Sequence, residues 1–393
     1  MTFKYLLLWA FCLFTFTSCS KDKKEVRTPV IPVEPEPIIY NDAEVNDSLR
    51  INQLQYLSSH NSYRKHTDTT IFTVLNNLLA LLPSPNKLPI SLIDLDYDHI
   101  KLYTQLNQYG VRHVELDIYG DKDGGRFYNR GGYEWTNRNP ASGIEELKQP
   151  GLKVLHIPDI DFETNNYTFI SALQELKKWS DDHPDHLPLF VLIETKTETI
   201  AQYVPLKGFV TAEPWDQEHL TEIDKEILEV FPKEQIIKPD DIRKNHTTLR
   251  EGVLTEGWPT VGESRGKIMF MFDQQDITPT YKQGNNSLEG KIVFTNANPN
   301  DPDAAFIKRN DPKENDVQSL VQKGFLVRSM IGGVDQNRAN DYSLFEMAKA
   351  KGVHFLSTDY YRPDPRAGKD GWTDFTIKLK HHSYRINPVT ASH

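Results

Sequence analysis

Several acidic side chains in this sequence are spaced so that they could bind one metal ion together. Glu115 and Asp117 lie two residues apart in VELDI, and Glu194 lies in a second apolar run, LFVLIET. A spacing of two places both side chains on the same face of a strand. Acids that face the inside of a barrel are costly without a partner, so a cation accounts for them better than a solvated strand face does. Oxygens from two strands suit a hard divalent cation.

Two histidines stand at the ends of further predicted strands. His60 lies in SSHNSYR and precedes Asn61, whose amide oxygen is a further candidate metal ligand. His156 ends KVLH. Imidazole accepts and donates protons near neutrality, and a cation beside it would offset the charge of a phosphodiester. A single histidine at a strand end is more often structural, but four such strand ends together favour a catalytic site.

Two basic residues accompany these groups, and each has two interpretations. Lys196 lies two residues after Glu194, and Arg328 lies near the end of a late strand, in FLVRS. Each could donate to a phosphate oxygen as a substrate-binding residue, or form an ion pair with a carboxylate of the site. Asp273 and Asp359 also end predicted strands, where an acid can orient a histidine or cap the following turn.

The elements that must position these residues alternate along the chain. Apolar, β-rich runs are separated by stretches in which apolar residues recur at three- and four-residue steps, as in 167–180, 218–231 and 339–351. This alternation predicts an α/β fold with a parallel sheet, and eight strands favour a TIM-type (β/α)8 barrel with its chemistry at the strand carboxyl ends. An open doubly wound sheet is the alternative. The predicted strands are 54–58, 111–119, 153–156, 189–195, 267–273, 291–296, 325–330 and 353–358.

The N-terminal residues predict export. Lys4 precedes a short apolar run that ends at Phe16, and FTSC then resembles a lipoprotein signal with Cys19 as the lipidated residue. Both cysteines, Cys12 and Cys19, fall in this segment, so the mature chain would contain no disulfide. We expect an exported lipoprotein of a Gram-negative bacterium at the outer membrane, facing either the periplasm or the exterior.

Composition and segment boundaries limit the domain organisation. Residues 1–18 are the predicted lipoprotein signal peptide, 19–48 a proline-spaced tether, and 49–393 a single catalytic domain. The formal net charge of -10 and the lack of a long basic stripe argue against nucleic-acid binding. We expect a monomer that contacts the membrane through its anchor.

The motifs around these residues resemble those of calcium-dependent phosphoinositide-specific phospholipases C, in particular the secreted bacterial and fungal branch. SHNSY is similar to the first-histidine motif of that family, GVRHVELDIYGD (110–121) to its Glu-x-Asp strand, and LFVLIETK to its later glutamate strand. Further similarity lies in HIPDIDF (156–162), IKPDDIR (237–243), EGWPTVGESRGKIMFMFD (256–273), GFLVRS (324–329) and GVHFLSTDYY (352–361).

The resemblance implies roles for the candidate residues. The inositol 2-hydroxyl of a phospholipid or glycolipid would attack the phosphorus and give a cyclic inositol phosphate and diacylglycerol. His156 would protonate the leaving glycerol oxygen, and His60 would contact the phosphate and assist deprotonation, with Glu115 as a rival base. The implied Ca²⁺ ligands are Asn61, Glu115, Asp117 and Glu194.

Several features leave the substrate open. His156 lies beyond a long Gly- and Arg-rich stretch within 121–150, and a second insertion spans 66–98. Loops on this face of a barrel set substrate choice. Within the second insertion, 70–83 is either a rim helix that enters lipid or a helix packed on the barrel. The C-terminal stretch 374–388 reads as a closing element.

Two other functions remain alternatives. A glycerophosphodiester phosphodiesterase also uses a Glu-x-Asp strand, but that family usually opens with His-Arg where this chain has His60 and Asn61. The second alternative is a non-catalytic surface lipoprotein that binds glycan or lipid. The intact pair of histidines argues against this alternative.

Overall fold

The computed structural model of the protein describes residues 42–81, 92–203, 207–379 and 383–391. These residues belong to one compact unit that spans Pro37–His393. The predicted signal peptide, Cys19 and nearly all of the tether lie outside the described residues. No helix of the described ranges is both long and apolar enough to cross a membrane.

Eight parallel strands form a nearly closed barrel, which confirms the predicted fold class. The strands of the sheet are β1 (Leu54–Ser59), β2 (His113–Tyr119), β3 (Lys153–Val154), β4 (Leu189–Thr195), β5 (Ile268–Phe272), β6 (Val293–Phe294), β7 (Phe306–Lys308), β8 (Leu326–Gly332), β9 (Phe355–Thr358) and β10 (Tyr384–Ile386). The order of the parallel strands is β6-β5-β4-β2-β1-β9-β8-β7, and a single parallel bridge between Asn296 and Phe306 joins the two ends.

Helices cover the outside of the barrel. They are α1 (Thr69–Leu81), α2 (Leu102–Tyr109), α3 (Gly131–Trp135), α4 (Phe169–Asp182), α5 (Ile200–Tyr203), α6 (Gln217–Val230), α7 (Pro239–Arg243), α8 (Leu249–Thr255), α9 (Val261–Ser264), α10 (Thr278–Lys282), α11 (Val317–Gln322), α12 (Val334–Ala339) and α13 (Ser343–Lys351). Two long helices begin at polar caps: the side chain of Thr168 accepts from the Ser171 amide at the start of α4, and that of Asp216 accepts from the His219 amide at the start of α6.

One predicted barrel strand is wrong. The run 153–156 contains only the two-residue β3, which pairs antiparallel with β2 and ends before His156. The eighth barrel strand is instead β7, which pairs parallel with β8. Three residues between turn-rich stretches are too short to show a strand period, which is why the sequence did not predict β7.

The interior of the barrel is packed with aromatic rings below the carboxyl ends of the strands. The ring of Phe190 lies 4.8 Å from that of Tyr56 and 4.7 Å from that of Phe355, measured between centroids. All three side chains are buried, and burying each contributes roughly 1.5–3 kcal/mol. The C-terminal strand β10 pairs antiparallel with β1, in agreement with a closing role, while His381 and His382 lie outside the described residues.

Candidate active site

Three carboxylates meet inside the carboxyl end of the barrel. Strands β2 and β4 are paired in parallel, and this register sets Asp117 beside Glu194. Glu115 lies one inward-facing position earlier on β2. One ligand oxygen from each of the three residues lies within 4.8 Å of the others, the arrangement a metal ion requires. Two strands thus hold an acidic cluster on rigid backbone.

Several oxygens at this cluster have no hydrogen-bond donor among the described residues. They are both carboxylate oxygens of Asp117 and the amide oxygen of Asn61. Asn61 is buried and adopts a left-handed backbone with φ 44°, while its Nδ2 donates to the Tyr97 hydroxyl at 2.9 Å. Buried polar atoms without partners are costly, so oxygens left free in this way fit a hard cation such as Ca²⁺.

The electrostatics of the cluster also call for a positive charge. Burial and the neighbouring Glu194 raise the pKa of Asp117 well above its usual value, and burial likewise raises the pKa of Glu194. Burial opposes ionisation of Glu115 too, but Arg328 and His60 outweigh it and lower its pKa to about 2. The site therefore does not carry three negative charges readily without a counter-ion.

The two basic residues predicted as substrate contacts form ion pairs with this cluster. Arg328 donates through Nη2 to Glu115 at 2.7 Å and to Ser357 at 3.0 Å, and through Nη1 to Asn310. Lys196 Nζ lies 3.0 Å from Glu194 Oε1 and 3.5 Å from Asp117 Oδ2. In this structure both residues are thus ion-paired with the acidic cluster, and their role in substrate binding stays a prediction.

His60 lies at the edge of the cluster on the backbone that follows β1. Its Nδ1 hydrogen-bonds to Asp359 at 2.8 Å, and its Nε2 lies 3.8 Å from Glu115 Oε1. Burial disfavours the imidazolium, but Glu115 and Asp359 together raise the pKa of His60 to about 9. Asp359 therefore orients a histidine, whereas Asp273 forms an ion pair with Lys308.

His156 follows β3 on a loop and has a carboxylate partner of its own. Its Nδ1 lies 2.6 Å from Asp161 Oδ2. Burial lowers the pKa of His156 to about 4, although Asp161 opposes that shift. Arg64 holds Asp161 through two hydrogen bonds, Nε to Oδ2 at 2.7 Å and Nη2 to Oδ1 at 2.9 Å. Arg64 and His156 keep the pKa of Asp161 below its usual value despite burial.

Three residues of this network were not identified from the sequence. Arg64 and Asp161 lie inside the motifs SHNSYR and HIPDIDF, where an acid five residues after a histidine was the available signal. Tyr97 lies in the insertion 66–98 and gave no signal. Its ring lies 4.4 Å from the Arg64 guanidinium carbon, and its hydroxyl accepts from Asn61. This part of the insertion is therefore buried against two residues of the site, Asn61 and Arg64, rather than acting only as a surface loop.

The insertion after β2 packs beside the loop that carries His156. Asp159 in that loop is buried and accepts from the amides of Gly131 at 2.7 Å and Val210 at 2.8 Å. The Arg130 guanidinium lies 3.9 Å from the centroid of the Phe162 ring. These contacts join three loops at the carboxyl edge of the barrel, so the insertion helps to position His156.

Searches of known structures return phospholipases with the same fold. A calcium-dependent phosphoinositol-specific phospholipase C from the Gram-negative bacterium Pseudomonas sp, an apo form in a myoinositol complex, matches with TM-score 0.52 and 14% identity. The match covers 90% of this chain and 100% of that chain. A second crystal form of that apo enzyme gives TM-score 0.53 and 13% identity over 90% and 99% of the two chains. At these identities the likeness shows the fold alone.

Sequence comparison identifies the family. No curated protein matches this chain. The family described as phosphoinositide phospholipase C, Ca²⁺-dependent, matches residues 49–388, which is most of the chain. The three-carboxylate cluster agrees with the calcium dependence of that family. The chain therefore belongs to the Ca²⁺-dependent phosphoinositide phospholipase C family, whose members are phosphodiesterase enzymes.

Proposed function

We propose that this enzyme cleaves phosphatidylinositol-type lipids through attack by the inositol 2-hydroxyl, giving a cyclic inositol phosphate and diacylglycerol. The observation that carries the proposal is the pair of histidines, His60 and His156, each bonded through Nδ1 to a carboxylate at the edge of a buried acidic cluster. A carboxylate on Nδ1 leaves Nε2 to face the substrate, as proton transfer to a reacting oxygen requires.

The candidate ligands for the ion come from the first three parallel strands of the chain. Asn61, Glu115, Asp117 and Glu194 would hold Ca²⁺, and the unpartnered oxygens of Asn61 and Asp117 support this assignment. When bound, the ion would supply positive charge that offsets the charge of the phosphodiester in the transition state.

The proton transfers divide between the two histidines. The bond between the 2-hydroxyl oxygen and phosphorus forms as the bond to the glycerol oxygen breaks. The protonated His156 ring, whose positive charge Asp161 stabilises, donates its Nε2 proton to that glycerol oxygen. His60 contacts the phosphate and assists removal of the 2-hydroxyl proton. Glu115 is the rival base, because its Oε1 lies 3.8 Å from His60 Nε2.

Burial and the charged groups of the chain itself set the starting protonation states of the two histidines. At neutral pH the raised pKa of His60, about 9, favours its imidazolium, and the lowered pKa of His156, about 4, favours its neutral form. A cation beside Glu115 would lower the pKa of His60. An anionic phosphate beside His156 would raise its pKa. Both shifts move the pair toward the working range for acid and base catalysis.

Arg328 and Lys196 would bind the phosphate oxygens. Each cation already lies at the cluster, within 3.0 Å of one of its carboxylates. A phosphodiester in the site would therefore meet positive charge without a large movement of the backbone.

The N-terminal segment gives a further proposal about location. We propose that residues 1–18 are a signal peptide, that Cys19 is lipidated, and that 19–48 tethers the 49–393 catalytic domain, as a monomer, to an outer membrane. The order of the apolar run, FTSC and the proline-spaced stretch supports this. Cys19→Ala should move the protein from the membrane fraction to the soluble fraction, and light scattering of the soluble form should give the mass of one chain.

The catalytic proposal is tested by substitution, chelation and product analysis. Turnover of phosphatidylinositol should fall by roughly 10²–10⁴ in both His60→Ala and His156→Ala, the range for loss of acid–base catalysis. A chelator should abolish it reversibly. Phosphorus NMR should detect a cyclic inositol phosphate as the first product.

A third histidine supplies the matched control. His246 bonds to Glu256 at 3.0 Å on the segment between α7 and α8, and His246→Ala should retain wild-type turnover. Activity that survives both active-site changes and the chelator would contradict the proposal. Release of glycerol phosphate from deacylated glycerophosphoinositol, without turnover of the intact lipid, would indicate a glycerophosphodiesterase instead.

A further inference from the structure

The two cations of the acidic cluster differ in how firmly they are held. Arg328 is buried, and its guanidinium also bonds to Ser357 and Asn310, so it has partners outside the candidate metal ligands. Among the described residues, the hydrogen bonds and ion pairs of Lys196 Nζ are made only to Glu194 and Asp117. Lys196 is therefore the cation that can leave when those two carboxylates acquire another partner.

The backbone of Lys196 is held by contacts that do not involve its side chain. Its amide donates to the Ile118 carbonyl at 2.9 Å, and its carbonyl accepts from Trp215 Nε1 at 3.0 Å. The side chain is 13% exposed and has four flexible methylene groups. The ammonium can therefore swing away from the cluster without movement of β4.

A divalent cation and this ammonium require the same oxygens. The Asp117 and Glu194 oxygens that Nζ approaches belong to the cluster that could hold a metal ion. Two cations only a few ångströms apart repel strongly where water is scarce. An ion that binds Asp117 and Glu194 must therefore displace the ammonium, which would remain close enough to meet an anion beside the ion.

We propose that Lys196 is an exchangeable counter-ion: it neutralises Asp117 and Glu194 before Ca²⁺ binds, and it moves to the phosphate of the substrate afterwards. This inference rests on the proposed function, because it takes these carboxylates as the calcium ligands. It adds that calcium and a phosphodiester anion bind with positive coupling, since each favours the displaced position of one ammonium.

The first test measures Ca²⁺ binding by calorimetry without substrate. Lys196→Met should bind Ca²⁺ about tenfold more tightly than wild type, because the competing ammonium is gone, and Lys196→Arg should stay near wild type. In chelator, Lys196→Met should also melt at a lower temperature. Dimethyl phosphate, a phosphodiester anion without inositol or acyl chains, should tighten Ca²⁺ binding clearly in wild type and less in Lys196→Met.

Lys282 provides the matched control. It forms an ion pair with Asp303 at 2.7 Å and is 18% exposed, so it resembles Lys196 in burial but belongs to α10. Lys282→Met should lower the melting temperature equally with and without Ca²⁺ and leave Ca²⁺ affinity unchanged. If Lys196→Met binds Ca²⁺ as tightly as wild type, or more weakly, the proposal that Lys196 is an exchangeable counter-ion is wrong.

A second measurement uses the wild-type chain and does not depend on a variant that folds. Acetylation by acetic anhydride, read by mass spectrometry of peptides, should modify Lys196 several-fold faster in Ca²⁺ than in chelator, while Lys282 is modified at one rate. Equal labelling of Lys196 in the two conditions would overturn the proposal.

The outcomes separate this inference from the proposed function. If wild type binds Ca²⁺, Asp117→Asn abolishes that binding, and Lys196→Met leaves it unchanged, the metal site stands and the exchange is wrong. If wild type binds no Ca²⁺, both are wrong.

Discussion

Two groups of buried charge lie at the carboxyl end of the barrel, and they differ in how completely their polar atoms are paired. Around Asp161, both carboxylate oxygens accept from Arg64, and His156 and Thr67 donate to them as well. At Asp117, neither oxygen has a hydrogen-bond donor among the described residues, although Lys196 lies 3.5 Å away. Both aspartates are completely buried.

The difference separates a charge that is fully paired within the chain from a charge that could bind a ligand. A buried carboxylate with a bidentate guanidinium and further donors is stable as it stands, and its removal leaves the arginine uncompensated. A buried carboxylate without donors is costly in the folded chain and becomes favourable only when a cation binds. Burial alone therefore does not identify a metal ligand, whereas Asp117 is marked as a candidate because both of its oxygens lack a hydrogen-bond donor among the described residues.

Replacing each aspartate by asparagine should give the largest difference between the two groups of charge. In chelator, Asp161→Asn should lower the free energy of unfolding by about 3–5 kcal/mol, because Arg64 is left as an unpaired buried charge. Asp117→Asn should leave it unchanged or raise it, because repulsion from Glu194 is relieved. Urea denaturation measures both, and equal losses would show that the two carboxylates do not differ in kind.

Calcium should stabilise the folded chain through the acidic cluster that contains Asp117, and not through the charges around Asp161. At a free Ca²⁺ concentration of 100 times its Kd, the wild-type free energy of unfolding should rise by about 2.7 kcal/mol. Asp117→Asn should lose this gain. Thermal melts across a Ca²⁺ titration provide the measurement, with Lys282→Met as a variant that should keep the full gain. A gain that persists in Asp117→Asn would place the ion elsewhere.

His354 is a buried histidine whose two ring nitrogens are both hydrogen-bonded, and it makes the free energy of unfolding depend on pH. His354 accepts from the Val327 amide at Nδ1 and bonds through Nε2 to the Asn52 carbonyl, an arrangement that requires the neutral ring. Burial lowers its pKa from 6.5 to about 4. Below pH 6.5 this histidine therefore binds a proton in the unfolded chain but stays neutral in the native chain. The contribution of His354 to stability is complete above pH 6.5 and is lost as the pH falls toward 4.

The corresponding experiment is a urea titration in chelator between pH 6.5 and 5. His354→Gln should reduce the loss of stability on acidification by about 1.4 kcal/mol per pH unit. His246→Ala is the control, since that ring is only partly buried and bonds to Glu256. An unchanged slope in His354→Gln would mean that this ring is not neutral in the native state.

The smallest effect should come from a charge pair outside both groups. Lys178 and Asp182 form an exposed ion pair at 2.7 Å on α4, with side-chain exposures of 68% and 41%. Lys178→Ala should leave the urea midpoint of unfolding at the wild-type value, because solvent and salt screen such pairs. Urea denaturation at two salt concentrations checks this, and a clear drop of the midpoint at either concentration would contradict it.

The barrel and part of its acidic cluster follow from local sequence pattern. Alternation of apolar runs with helical periodicity predicts the fold, and the spacing of two between Glu115 and Asp117 places both on the inner face of β2. Parallel pairing then brings Glu194 beside Asp117. Each step depends on the periods of strands and helices, which nearby residues determine.

Other features depend on contacts between distant segments, which no local period encodes. The three-residue β7 exists because β8 pairs with it. Tyr97 reaches Asn61 from an insertion 36 positions further along the chain. Even the ion pair of Lys196 depends on such a contact, because the parallel pairing of β2 with β4 sets its ammonium beside Asp117 on the neighbouring strand.

The sequence by itself determined which residue types stand at the strand ends, because strand and helix periods are local properties of the chain. The tertiary structure alone decided which of these charges are paired and which oxygens remain free, because pairing depends on distances across the barrel. Asp161 and Asp117 are both aspartates beside apolar residues in the sequence. Only the folded chain gives Arg64 to the first and leaves the second without a donor among the described residues.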